Sequence, residues 1–204
     1  MTVPDIVLAL SVFVAPLCAA ALNLAPSRRL SLLLLLGVFT AAGATIGLSQ
    51  QIRIGLGIAA TGMVACALLA FGFQRSGWQP RRAAGGLAGS GRGFRAATVL
   101  LVAAAAWGLL VPYASSAGAI SAPRLASAVM ILSMGLLQLG LSQEQGAAAL
   151  GLLTALAGFE LWYAGLEPSL ALRAVLAAIM LGIALVSSVL LQEQGGAAPE
   201  RRAE

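Results

Sequence analysis

The stretch LALRAVLAAIMLGIALVSSVLL, residues 170–191, decides the reading of this chain. Its only ionisable side chain is Arg173, close to its start, and apolar residues occupy every face of the helix it would form. About 20 consecutive apolar residues are what a helix needs to cross the roughly 30 Å hydrocarbon core of a bilayer. A helix of a soluble protein would keep one polar face toward water. Working back toward the N-terminus, six further runs have the same character: 146–164, 125–141, 96–114, 54–73, 30–48 and 6–24. The run at 125–141 is the shortest and holds Gln138. Backbone groups in lipid find partners only within a helix or a closed barrel, and long uninterrupted apolar runs select the helix. The expected fold is therefore all-α, a polytopic membrane helical bundle of about seven transmembrane helices.

The whole chain agrees with its last run. Of 204 residues, 60% are apolar and 9% charged, against the quarter or so charged in ordinary soluble domains. Mean hydropathy is +0.95. So little charge leaves nothing to cover the apolar area in water, and the lipid bilayer is the expected partner. The first run follows Met-Thr-Val-Pro-Asp, with no basic residue before it, and is read as a retained helix and not a cleaved signal peptide.

Short polar joints make neighbouring helices antiparallel. The longer joint at 74–95 is rich in glycine and arginine. It divides the chain into a three-helix N-terminal half (1–73) and a four-helix C-terminal half (96–191), with a tail at 192–204. Alternate joints differ in charge. Arg28, Arg29, Arg75, Arg81, Arg82, Arg92, Arg95, Arg201 and Arg202 fall on one side, and Arg53, Arg124 and Arg173 on the other. The positive-inside rule places the first group in the cytoplasm, so the N-terminus lies outside and the C-terminus inside, which requires an odd number of crossings. The expected location is the cell membrane, multi-pass, most simply a bacterial inner membrane. The net charge of +5 comes from arginines that flank apolar runs, a topology signal and not a nucleic-acid surface.

Several chemistries lack their residues. There is no histidine, and the two cysteines, Cys18 and Cys66, lie singly inside different apolar runs, so they read as apolar fillers. No metal site and no cofactor site is expected, and nucleophile–histidine catalysis is excluded. Gln138, Thr45, Thr61, Thr154, Ser187 and Ser188 are expected to bond between helices. The pairs Gly43/Gly47 and Gly151/Ala155, each spaced by one turn, are expected to let helices approach closely. Pro16 and Pro112 are expected to kink theirs.

A charge in hydrocarbon costs roughly 2.5–3.5 kcal/mol on insertion scales, so an acid within a span is the first place to seek function. Glu160 is the only one inside a run. Two readings stand. In one, Glu160 faces the bundle interior or a partner subunit and transfers a proton. In the other, it lies near the outer interface, about 7 Å from the helix end. There it would reach headgroups beside Trp162 and Tyr163. Arg173 starts the next helix on the same side and is the candidate ion-pair partner of Glu160. Arg173 and Arg53, each within a turn of a helix start, are otherwise expected as interface anchors.

The last three runs, with the Ser142-Gln143-Glu144-Gln145 joint, the stretch from Gly151 to Gly158 and the Glu167-Pro168 joint, resemble a small three-helix membrane protein shared by several ion-translocating complexes. It occurs as the K-type (4L) component of complex I, as the C component of Mrp-type cation/proton antiporters and as component E of hydrogenase-4-type complexes. Component E is similar in length and helix number. The resemblance covers the last 80 residues or so, by helix layout and one glycine-rich stretch. It implies a membrane subunit of a proton- or cation-translocating complex, packed against larger antiporter-like membrane subunits and at most a non-catalytic part of an oxidoreductase or antiporter. The family's buried glutamate aligns with Leu156, one turn before Glu160, and its second acid, in the last helix, has no counterpart around Ala177-Ala178-Ile179-Met180. One acid is not a relay, so the implied role is scaffolding with a single proton site. The alternatives are a stand-alone small transporter and a membrane-anchored assembly protein.

Overall fold

The computed structural model describes residues 3–49, 52–76, 92–113, 122–142, 144–166 and 169–196, and among them all regular structure is helical. Seven helices follow one another: α1 (Val3–Leu24), α2 (Arg28–Ser49), α3 (Ile52–Ser76), α4 (Arg92–Tyr113), α5 (Ala122–Leu141), α6 (Gln145–Tyr163) and α7 (Leu170–Gly196). Six are long and apolar enough to cross a membrane, and α1 carries a shorter apolar run, Leu8–Leu24. The helices overrun the apolar stretches. Gln74 and Arg75, expected in the long joint, end α3, and Arg92 to Arg95 begin α4. Arg124, expected in a joint, lies in the first turn of α5, and α7 runs on into the expected tail. Helix hydrogen bonding continues past the hydrocarbon boundary because polar side chains keep the same backbone pattern in the headgroup region. The rest of the glycine-rich joint, 77–91, lies outside the described residues.

The helices pack as a closed ring in the order α1, α2, α3, α7, α6, α5 and back to α1, with α2 also touching α6 across the middle. In other words, the row α1–α2–α3 faces the row α5–α6–α7, helix for helix. α4 lies outside the ring against α5 and α1. The centre is filled by apolar side chains, including Leu35 and Phe39 of α2, Leu69 and Phe73 of α3, Ile131 and Met134 of α5, Leu150 and Leu153 of α6, and Met180 of α7. The outside is apolar as well. Leu10, Phe13 and Leu17 on α1, Leu100, Leu101, Trp107 and Leu109 on α4, and Val175, Ile179, Leu185 and Val186 on α7 are exposed. An exterior of this kind is unstable in water, where contiguous apolar patches on monomers stay within a few hundred Å². It suits a multi-pass membrane protein.

Small residues set how closely the helices approach. A Cβ added at Gly43 would come within 2.7 Å of the Gly55 carbonyl oxygen, and one at Gly151 within 2.8 Å of the Leu139 nitrogen. Both expected close-packing faces are thus seams, α2 on α3 and α5 on α6. The partners Gly55, Gly135 and Gly158 are equally tight and complete them. The Thr45 and Ser11 hydroxyls bond at 3.0 Å between α2 and α1, and Asn23 Nδ2 donates to the Met134 carbonyl at 3.3 Å between α1 and α5. Thr61 and Thr154 instead donate to carbonyls of their own helices, Gly57 and Leu150, at 2.9 and 2.8 Å. Gln138 is buried, but its Oε1 has no hydrogen-bond partner. Of the expected polar links between helices, Thr45 makes one and these three do not. Threonine finds the carbonyl one turn back sooner than a neighbouring helix. Pro16 sits within the uninterrupted α1, and Pro112 in the last turn of α4.

These contacts also fix which helix ends lie together. Arg28 Nη1 donates to the Phe73 carbonyl at 3.0 Å, joining the start of α2 to the end of α3. The end of α1, the starts of α2, α4 and α6 and the end of α5 surround one small cavity lined by Asn23, Ser31, Arg95, Gln138 and Ala147. Gly72 and Ser188 meet near the ends of α3 and α7. That end of the bundle carries Arg28, Arg75 and Arg95. The opposite end carries Arg53, Arg124 and Arg173, all in first turns.

Candidate functional site

The site grows from helix α6, whose small residues let it sink into the bundle. Gly151, Ala155 and Gly158 bring its backbone against α5, which places the turn that follows among protein side chains. Glu160 falls on the buried side of that turn, with 5% of its surface exposed. Trp162, two residues on and so on the far side of the helix, is exposed at 38%. The Phe159 ring meets Trp162 edge-on at 6.0 Å and stacks on Tyr163 at 6.1 Å. Within the chain, then, Glu160 faces protein, while Trp162, expected to accompany it to the headgroups, is exposed on the far side of the helix. Leu156, one turn earlier, packs half-buried against the apolar core.

Glu160 lines a cavity of about 360 Å³ between α3, α6 and α7, together with Arg53, Ile54, Gly57, Ile58, Thr61, Arg173, Ala174 and Ala177. Arg173, the candidate partner of Glu160, is 7% exposed and belongs to this cavity wall. The reason is the close packing of α7 on α3, which covers the face of α7 that carries it. Arg53, also on the cavity wall, is exposed. Arg173 acts by charge attraction on Glu160 and by repulsion on Arg124, which is itself buried in α5. Two of the three arginines of the arginine-poor end, Arg53 and Arg173, thus share a cavity with Glu160, and the third, Arg124, feels the charge of Arg173. Sequence reasoning did not single out Arg124. The available signal was that the minority arginines, 53, 124 and 173, each start a helix of the same direction.

Chemically, the cavity brings one carboxyl and one guanidinium, each acting on the other's charge, into an otherwise apolar part of the bundle. An isolated charge would be expelled or neutralised there, and a neighbouring opposite charge offsets the desolvation cost. The two cysteines do not take part: Cys66 is buried, and Cys18 Sγ lies where a side chain at Gly37 would go.

What these observations define is a class, an all-helical bundle with the apolar exterior of a multi-pass membrane protein and, among the described residues, one buried acid. Comparison with family models, curated proteins and solved structures gives no match.

Proposed function

We propose that this chain is a membrane subunit of a proton- or cation-translocating complex of respiratory, hydrogenase or antiporter type. In this reading it crosses the cell membrane, most simply a bacterial inner membrane, seven times, with its N-terminus outside and its C-terminus in the cytoplasm. It scaffolds larger antiporter-like membrane subunits, and Glu160 is its one proton-transfer site, held by Arg173. The observation that carries the reading is the burial of Glu160 beside Arg173 on one cavity. Intramembrane ionisable residues are costly and are retained where protons or ions move.

The subunit role is favoured over a stand-alone transporter by what surrounds the pair. The largest fully buried side chains, among them Phe39, Ile46, Leu69, Ile131 and Leu153, are all apolar. A proton leaving Glu160 toward the opposite end would need a continuous series of polar groups at hydrogen-bond spacing, and in this reading another polypeptide supplies part of it. α4, outside the ring, offers the exposed Leu100, Leu101, Trp107 and Leu109 for such packing.

Two measurements test this. Purification of the tagged chain in mild detergent is expected to bring large membrane subunits with it. In that complex Glu160→Gln, which keeps shape and hydrogen bonding but not the exchangeable proton, is expected to lower proton coupling while assembly stays intact. A chain that purifies alone overturns the subunit role. Full coupling in the variant removes Glu160 as the proton site.

A further inference from the structure

The cavity that holds Glu160 and Arg173 is graded along its depth. Arg53 is the second residue of α3, and Arg173 the fourth of α7, so both guanidiniums belong to first turns, at about headgroup depth. Further along the same helices the wall becomes Gly57, Ile58, Ala174 and Ala177, small and apolar, with the Thr61 hydroxyl already bonded to its own helix. Thr61 lies roughly 12 Å along α3 from Arg53, at 1.5 Å per residue. The cleft opens sideways, since Arg53, Gly57 and Ala174 are exposed on the flank of the bundle. A side chain built at Gly57 would meet nothing within 4 Å, so this stretch of α3 is a groove and not a packed seam. Among the described residues the charged wall carries two guanidiniums, Arg53 and Arg173, against one carboxyl, Glu160. A volume of about 360 Å³ is at the lower end of the range for small-molecule sites.

We propose that the α3–α7 cleft is a binding site for an anionic phospholipid, with the phosphate between Arg53 and Arg173 and an acyl chain along Gly57, Ile58, Ala174 and Ala177. A water-soluble anion would match the guanidiniums but not the apolar inner half. A zwitterionic lipid would match the groove, but its choline would meet the same two guanidiniums. Basic pockets between membrane helices select acidic headgroups on these grounds. The site stands whether or not the chain belongs to a larger complex, because both walls come from this chain.

The test uses the full purified chain in neutral detergent, with dioleoylphosphatidylglycerol or dioleoylphosphatidylcholine added, read by native mass spectrometry and by thermal melting. Phosphatidylglycerol is expected to be retained and to raise the melting midpoint above that with phosphatidylcholine. Arg53→Gln, at an exposed position, should weaken retention roughly tenfold, as loss of one charge-assisted phosphate contact does. Gly57→Leu should fill the groove and abolish retention without lowering the melting midpoint in phosphatidylcholine. Arg29→Gln, at the opposite end, should leave retention unchanged. Equal retention of the two lipids overturns the proposal, as does retention that survives both cleft variants. Stabilisation reproduced by inorganic phosphate alone also overturns it, by making the ligand a soluble anion.

Discussion

Gly55 and Gly57 are two residues apart on α3, and their different surroundings illustrate how single positions matter here. A Cβ at Gly55 would meet the Gly43 carbonyl oxygen and stand 2.6 Å from Gly47 Cα, whereas one at Gly57 meets nothing. Gly55→Ala must therefore push α2 and α3 apart, and overpacking of this kind costs about 1–3 kcal/mol. Gly57→Ala should be close to neutral. Thermal melting in detergent separates them, and a Gly55→Ala protein as stable as the parent would show that the α2–α3 seam yields. Glu160 and Arg173 make a second residue-scale case. Each is buried, and each acts on the other's charge. Removal of one leaves the other's charge less compensated, so Glu160→Leu and Arg173→Leu should each destabilise the bundle. The double variant should lose less than the sum, by about 0.5–3 kcal/mol. Strict additivity would mean that the two side chains share a cavity without supporting each other.

At the scale of helices, the sequence is informative about existence and poor about facing. The ends of the apolar runs at 30–48 and 125–141 fall within a few residues of α2 and α5, because the boundary between lipid and headgroup is written in hydropathy. Helices that are apolar all round carry almost no moment to show which side meets protein. Nothing in Ala96 to Leu110 marks α4 as the helix outside the ring, and nothing in Leu32 to Phe39 marks α2 as central. The same ambiguity left Glu160 open between interior and headgroups. Its distance from the helix end permits both, and the packing of α7 on α3, a long-range property, decides for burial. Asn23 is the clearest element-scale test. Its amide reaches from α1 to the Met134 carbonyl of α5 and also caps back to Ala19 at 3.1 Å. Asn23→Leu should weaken the α1–α5 contact by about 0.6 kcal/mol, the average for a polar bond between membrane helices. A loss of several kcal/mol would mean that Asn23 also organises the cavity it shares with Gln138 and Arg95.

For the molecule as a whole, the two ends of the bundle differ in charge for a reason that can be tested directly. Arg28, Arg75 and Arg95 belong to helix ends that meet around Asn23 and Phe73, while Arg53, Arg124 and Arg173 belong to the end that holds Glu160. Insertion retains the more basic loops in the cytoplasm, so the proposed orientation follows if every helix crosses. α1 is the helix on which this turns, since the other six are each long and apolar enough to cross. If α1 crosses, fusions of a reporter active only in the cytoplasm should be active within the 77–91 joint and at the C-terminus, and inactive in the joint between α2 and α3. A second reporter, active only outside, should give the complementary pattern and be active at the N-terminus. A cytoplasmic N-terminus with the other three positions unchanged would leave α1 on the membrane surface and the chain with six crossings. The Ser11–Thr45 bond makes that outcome costly, because it ties the middle of α1 to the far half of α2 inside the bundle. Reversal of all four positions would instead mean that the arginines around Glu160 lie in the cytoplasm. The Glu160 cavity would then open to the opposite compartment, and any proton it handles would enter from the cytoplasmic side.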